Sequence, residues 1–214
     1  MPALIKSSEG EMREAEIKRA LKDQLETEAG GRLPFLEEVQ INGGEIRADL
    51  VQVQDMHCYE IKSAGDTLNR LIGQGSRYAR VFELVTLVLA ERHLKKAIPM
   101  LPTWWGVVII PGEAAQDFQH LRRATPNVRQ EAETLATLLN RDEALAVLAE
   151  IGATRGYRSK SLYQIQNALA EMLPLPELKS QVRQRLLIRC GQAPAELPLF
   201  SSMGRPQKTE KIVR

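Results

Sequence analysis

The 214-residue chain is poor in the residues that most often announce a mechanism. It has two cysteines, Cys58 and Cys190, and three histidines, His57, His93 and His120. Neither set has the spacing of a zinc site, and two cysteines make no disulfide framework; such sparing usage fits a reducing cytosol. The histidines read as surface or strand-end residues. Long apolar runs are also missing. "LVTLVLA" and "WWGVVII" are strand length, far short of the about 20 residues that span a bilayer, and the first twenty residues contain no signal-like apolar stretch. There is no Walker-type glycine loop, since "INGGEI" reads as a hairpin, and no Ser-His-Asp or Cys-His arrangement can be placed. Strong charge of one sign is absent too. The net charge is +2, although residues 153–190 hold Arg155, Arg158, Lys160, Lys179, Arg183, Arg185 and Arg189 against Glu171 and Glu177 alone.

What remains is an ordinary globular composition, 43% hydrophobic and 26% charged. Residues 9–28 lack Pro and Gly and repeat Ile17, Leu21 and Leu25 every four positions, which predicts a helix stopped by Gly30-Gly31. "PFLEEVQI" and "EIRADLVQV" flank "NGG", a hairpin signal. A second tight turn at "QDMH" leads into "HCYEIKS", so three strands should form an antiparallel meander. "GDTLNRLIGQGSRYARVF" reads as a helix with Asp66 near its start, weakened by Gly73 and Gly75. "LVTLVLA" is a buried strand, "ERHLKKAIPML" a short helix and "WWGVVIIP" another buried strand. The predicted order is α-β-β-β-α-β-α-β over residues 1–111. A connector over 112–129 follows, then an all-helical extension over 130–190 and a disordered tail over 191–214.

The charged residues inside these strands are the anomaly, because a charge in a half-buried strand is costly unless it is paired or bound to a metal. With Asp55 and Met56 as a two-residue turn, Gln54 pairs with His57, Asp49 lies opposite Lys62, and Val51 opposite Glu60. Opposed residues and residues two apart on a strand share a face. Asp49, Glu60 and Lys62 therefore face the same way, with the carboxylates as diagonal neighbours about 7–8 Å apart at Cα. Parity adds Glu38 to that face and puts Glu37 on the other. Two acids at this spacing can converge on one hard divalent cation such as Mg²⁺. A solvent-facing Asp–Lys pair with a nearby Glu is the plainer alternative.

The run D-(x10)-E-I-K on the second and third strands of an α-β-β-β-α-β core resembles the PD-(D/E)XK nuclease superfamily. "QGSRY", with Gln74 and Tyr78 four apart, is similar to the Q-x-x-x-Y element of its RecB-like branch. The segment from Arg47 to His93 looks like a group of small bacterial and phage proteins of that superfamily. The motif's proline is replaced by Ala48. The resemblance implies a restriction-endonuclease-like α/β core, a mixed sheet flanked by helices, and a Mg²⁺- or Mn²⁺-dependent nuclease acting on nucleic acid, with DNA as the expected substrate. It implies Asp49 and Glu60 as metal ligands, Lys62 as the catalytic lysine and Gln74 as a positioning residue. A further glutamate from the first helix is a feature of many members; Glu14 is the candidate and Glu16 its rival, with Glu38 a further possible ligand.

Other residues carry weaker signals. Cys58 shares the parity of Glu60 but is best read as a small buried side chain. Trp104-Trp105 should pack in the core. Arg155, Arg158 and Lys160, interleaved with Tyr157 and Tyr163, suit phosphate contact or a solvated helix start equally. Tyr78 and these three basic residues are the candidate nucleic-acid contacts. The rival readings are a nuclease-like module that binds DNA or protein without cutting, and a subunit active only in a complex or homodimer. No membrane partner is expected.

Overall fold

The computed structural model describes residues 12–110, 112 and 117–192. Within them α1 (Glu14–Ala29) is followed by β1 (Phe35–Ile41), β2 (Ile46–Gln52), β3 (His57–Lys62), α2 (Leu71–Tyr78), β4 (Leu84–Ala90), α3 (Leu94–Ala97), β5 (Gly106–Ile110) and β6 (Gln119–Arg122). Four helices complete the chain: α4 (Ala132–Ala136), α5 (Arg141–Glu150), α6 (Leu162–Met172) and α7 (Leu175–Arg189). The strands form one mixed six-stranded sheet in the order β1-β2-β3-β4-β5-β6. The first three are antiparallel, β3-β4-β5 run parallel, and β6 returns antiparallel to β5. No helix among the described residues is long and apolar enough to cross a membrane.

Each face of the sheet buries a separate set of side chains. On one, Ile17 and Leu21 of α1 pack on Leu50, Tyr59, Ile61, Val88 and Val108. The helix ends where Gly30 adopts a left-handed φ of 71°, a conformation that suits glycine at a helix C-terminus. The other face carries a larger apolar cluster that runs without a break from Val51, Cys58 and Leu87 through Tyr78 and Trp105 to Leu135, Val147, Ile165 and Leu178. The helices after residue 130 thus pack on the same core as the sheet. Asn127 and Gln130 fasten the segment before them. Asn127 Nδ2 donates to the Ala79 and Phe82 carbonyls, and Gln130 Nε2 donates to Phe82.

Several sequence expectations need correction. The connector over 112–129 contains β6, whose four residues are largely exposed and so give no apolar signal. The turn between β2 and β3 has four residues rather than two, because Gln52, not Gln54, pairs with His57. Val53 N–H donates to the Pro34 carbonyl, the Gln52 side chain accepts from Asp55 N–H, and Met56 takes a left-handed φ of 47°. Helix α2 begins only at Leu71; Asp66 does not cap it but accepts from the Ser63 N–H and hydroxyl. Trp104-Trp105 precede β5 rather than opening it, though Trp105 is fully buried. His93 is buried, its Nε2 donating to the Ser63 carbonyl. The tail expected to be disordered lies outside the described residues from 193 onward.

Two glycines have steric reasons to be there. A Cβ on Gly75 would stand 3.1 Å from the Trp105 ring, so α2 lies close against that indole. A Cβ on Gly106 would meet Thr86 Oγ1 at 2.4 Å and Ala124 N at 2.9 Å, whereas one on Gly73 would meet only the tip of Arg77 at 4.0 Å. Gly106→Ala should therefore destabilise the fold by about 1–3 kcal/mol through overpacking, while Gly73→Ala should stabilise it by about 0.5–1 kcal/mol through helix propensity. Chemical denaturation of the two variants, with equal loss in both as the contrary result, checks this assignment.

Candidate functional site

The site sits where both strand ladders around Asp49 are interrupted. Pairing of β2 with β3 ends at Leu50 and Tyr59, one step before Asp49 and Glu60. Pairing of β1 with β2 skips the step that would set Glu38 against Asp49, and Glu38 has a left-handed φ of 55°. A non-glycine residue in that region costs on the order of 1 kcal/mol and needs its surroundings to hold it. Into the gap Asp49 turns its carboxylate, and Oδ2 accepts from Ile61 N–H at 2.7 Å.

The actual register places Asp49 opposite Glu60, not Lys62. The three residues still share a face, because the slip is two residues and the strand period is two. Glu60 is fully buried. Its Oε1 accepts from Lys62 Nζ at 2.5 Å and its Oε2 from the Tyr78 hydroxyl at 2.6 Å. Tyr78 lies on α2 with Gln74 one turn before it, and Gln74 Nε2 is 3.5 Å from the Tyr78 oxygen. Gln74 Oε1 is buried without a hydrogen-bond partner among the described residues. Such an acceptor is costly in place.

The first helix closes the other side. Lys18, 6% exposed, places Nζ 2.7 Å from Glu14 Oε1 and against Glu38 Oε1, while Arg47 Nε donates to Glu38 Oε2 at 2.7 Å. One carboxylate oxygen from each of Glu14, Glu38 and Asp49 lies within 4.8 Å of the others. Glu16 is elsewhere, accepting from Arg13 N–H at the helix start, and Glu37 pairs with Lys22 on the α1 face as parity requires. Glu14, Glu38 and Asp49 open on a cleft of about 620 Å³ with six acids and three bases on its walls, the others being Glu45, Glu60 and Asp66 against Arg47, Lys62 and Arg70.

Charge in this cleft has readable effects. Burial, then the neighbouring Glu60 charge, pushes the Asp49 carboxyl from an ordinary 3.8 up to about 7; the Ile61 amide and Lys62 offset only part. Burial holds the Tyr78 hydroxyl far above its usual range, so it remains a donor to Glu60. The Cys58 thiol is raised by burial and then by the Glu60 and Asp49 charges, which makes it an inert core side chain. An all-oxygen carboxylate set suits a hard divalent ion such as Mg²⁺ or Mn²⁺. Asp49, with a backbone amide as its hydrogen-bond donor and no bonded cation among the described residues, is the acid best placed to receive one.

The basic residues divide into two groups that sequence did not separate. Lys179 and Arg183 pair with Glu83, Arg185 with Glu150 and Arg189 with Glu143. These charges hold α7 to the rest of the fold. Arg155, Arg158 and Lys160 are exposed on the turn before α6, and none forms an ion pair among the described residues. The turn is held from behind by Arg141, whose guanidinium donates to the Arg158 and Lys160 carbonyls at 2.7 Å each.

Comparison with known proteins gives three findings. No curated protein matches the chain. Among solved structures, a protein of unknown function from Silicibacter pomeroyi is similar at a TM-score of 0.40 and 15% identity, over 70% of this chain and 96% of that one. The family described as bacteriophage P4 protein cII matches residues 7–196, nearly the whole length and the entire site with it. The chain is a member of the bacteriophage P4 protein cII family.

Proposed function

We propose that the chain is a Mg²⁺- or Mn²⁺-dependent nuclease of PD-(D/E)XK type, acting on DNA. The observation that carries the proposal is the convergence of Asp49, Glu60 and Lys62 at an interrupted ladder, with Gln74 and Tyr78 of α2 at their back. A mixed sheet with α1 on one face and α2 on the other supports a restriction-endonuclease-like core. Asp49 and Glu60 would hold the ion, which supplies Lewis-acid polarisation of the phosphoryl oxygen and a more acidic bound water. Tyr78 fixes the Glu60 carboxylate by donating to Oε2. Lys62 Nζ, already on Glu60 Oε1, is positioned to neutralise charge building on the phosphate or to orient the nucleophile. Arg155, Arg158 and Lys160 are free to meet backbone phosphates.

A non-cleaving binding module is favoured by one observation, the closed pairing of Glu60 by Lys62 and Tyr78, which satisfies that acid without any ion. Lys62 divides the two readings. Lys62→Met leaves a buried carboxylate unpaired and should cost about 3–5 kcal/mol of stability under either reading. In the nuclease it should also slow single-turnover cleavage per folded molecule by about 10²–10³ with little loss of DNA affinity. Parental turnover in the folded fraction would refute the catalytic role.

Asp49 gives a test by pH. Its folded-state value of about 7 lies above its ordinary 3.8, so the native state keeps a proton that the unfolded chain releases. Stability is therefore lost as pH rises through that window. Asp49→Asn should raise the melting temperature of the metal-free protein at pH 8, by the equivalent of about 2–4 kcal/mol, and change it little at pH 4. The same variant should lose tight Mn²⁺ binding, which calorimetry measures directly. Unchanged Mn²⁺ affinity would remove Asp49 from the metal site.

The basic turn gives a third. Replacing Arg155, Arg158 and Lys160 by Gln together should weaken duplex binding and flatten its log–log salt slope by about 0.9 for each phosphate no longer neutralised. Because these side chains hold no acid, the melting temperature should not fall. An unaltered slope would assign the turn to bare solvent or to a protein partner.

A further inference from the structure

The acids of the cleft fall into two groups with different charge balance. Glu14 and Glu38 carry two negative charges against Lys18 and Arg47, each in direct contact. Among the described residues Asp49 and Glu60 carry two against Lys62 alone, and Lys62 is bonded to Glu60. The uncompensated charge is on Asp49. Lys18 reaches its position by ordinary helix geometry, since Glu14 precedes it by four residues and the i,i+4 Glu-to-Lys order suits such a pair. Beside it, Ile17 and Leu21 bury against the sheet and fix that face of α1. The ammonium is thus a nearly buried cation lying between two carboxylates from different elements.

We infer that Lys18 serves as a tethered cation for the Glu14–Glu38 end of the cleft, so that the chain takes one divalent ion, at Asp49 and Glu60, and not two. This rests on the metal-dependent reading of the site above. An ion bound to the Glu14 oxygen that Lys18 now holds would lie within about 5 Å of the ammonium, taking metal–oxygen lengths of about 2.1 Å. Lys62 would stand as near to an ion on Glu60 Oε1, so the two ends differ in charge balance and not in distance: Lys18 and Arg47 already match both Glu14 and Glu38, whereas Lys62 bonds Glu60 and leaves Asp49 to the ion. Lys18 also has little room to move into water. Lys18 is therefore a residue that sets metal stoichiometry by position, and it need not touch substrate. Glu14 and Glu38 act through Lys18 to hold α1 against β1, and the left-handed backbone at Glu38 belongs to that clasp.

The test counts Mn²⁺ on the whole chain by calorimetry and by electron paramagnetic resonance of free ion. The parent should bind one Mn²⁺, and Glu14→Gln and Glu38→Gln should keep that stoichiometry, with weaker affinity because Lys18 is then less fully neutralised. Lys18→Gln, which preserves hydrogen bonding to the acids while removing the charge, should bind a second Mn²⁺. Lys18→Gln combined with Glu38→Gln should return to one. Lys18→Met offers a second readout through folding: it should melt below the parent without metal and gain more from Mn²⁺ than the parent does. Two ions on the parent would overturn the inference. So would a single ion on Lys18→Gln, or disappearance of Mn²⁺ binding in Glu14→Gln or Glu38→Gln, since losing a group that only neighbours the ion costs about 10–100-fold. If the parent binds no Mn²⁺, the metal-dependent reading fails by itself. An ion gained by Lys18→Gln and lost again with Glu38→Gln would then still support the role of Lys18, and no gain would refute it.

Discussion

A fully buried carboxylate, that of Glu60, is the constraint from which the site is arranged. An acid in that position must either give up its charge or be matched on both oxygens. The fold matches it, with an ammonium on one oxygen and a phenol on the other. Those partners dictate much of the surroundings. Lys62 must follow two residues later on the same strand face, and Tyr78 must come from a helix crossing that face. The helix must approach closely enough for a hydroxyl to reach a strand side chain. Asp49, lying beside Glu60 with no bonded cation among the described residues, is left to bear the electrostatic consequence.

Face assignment is legible in the sequence because it depends on parity alone. The turn expected between β2 and β3 is two residues too short, yet Asp49, Glu60 and Lys62 stay together, since an error of two leaves every side chain on its side of the sheet. What parity does not supply is which residues stand directly opposite. That depends on Val53 remaining bonded to Pro34 and on Met56 accepting a left-handed backbone, and neither is written in an apolar pattern. Strand β6 escapes a sequence reading for a related reason: it is an edge strand whose side chains are mostly solvated. The start of α2 is misplaced because Asp66 looks like a helix cap but serves the Ser63 turn instead.

The excess of basic residues in the last third is legible as a number but not as an arrangement. Sequence distance hides their partners: Glu83 on the loop before β4, and Glu143 and Glu150 on α5. Once those pairs are removed, the unmatched positive charge of residues 153–190 contracts to one turn of the chain. The Glu14–Lys18–Glu38 clasp is only half visible. Glu14 and Glu38 stand out as acids near an expected ion, while nothing in the sequence singles out Lys18. Its burial comes from tertiary packing, which a single helix pattern does not record.

The contact between Gly75 and Trp105 ties the acid's chemistry to a distant piece of packing. Gln74 and Tyr78 flank Gly75 on the same short helix, so the height of α2 above the sheet sets how far the phenol stands from Glu60. A larger residue at 75 would act as a shim under that helix, and the carboxylate would then lose a hydrogen bond without any change to a residue that touches it. The indole, set just ahead of β5 and outside the cleft, works as the rest on which the donor helix is levelled.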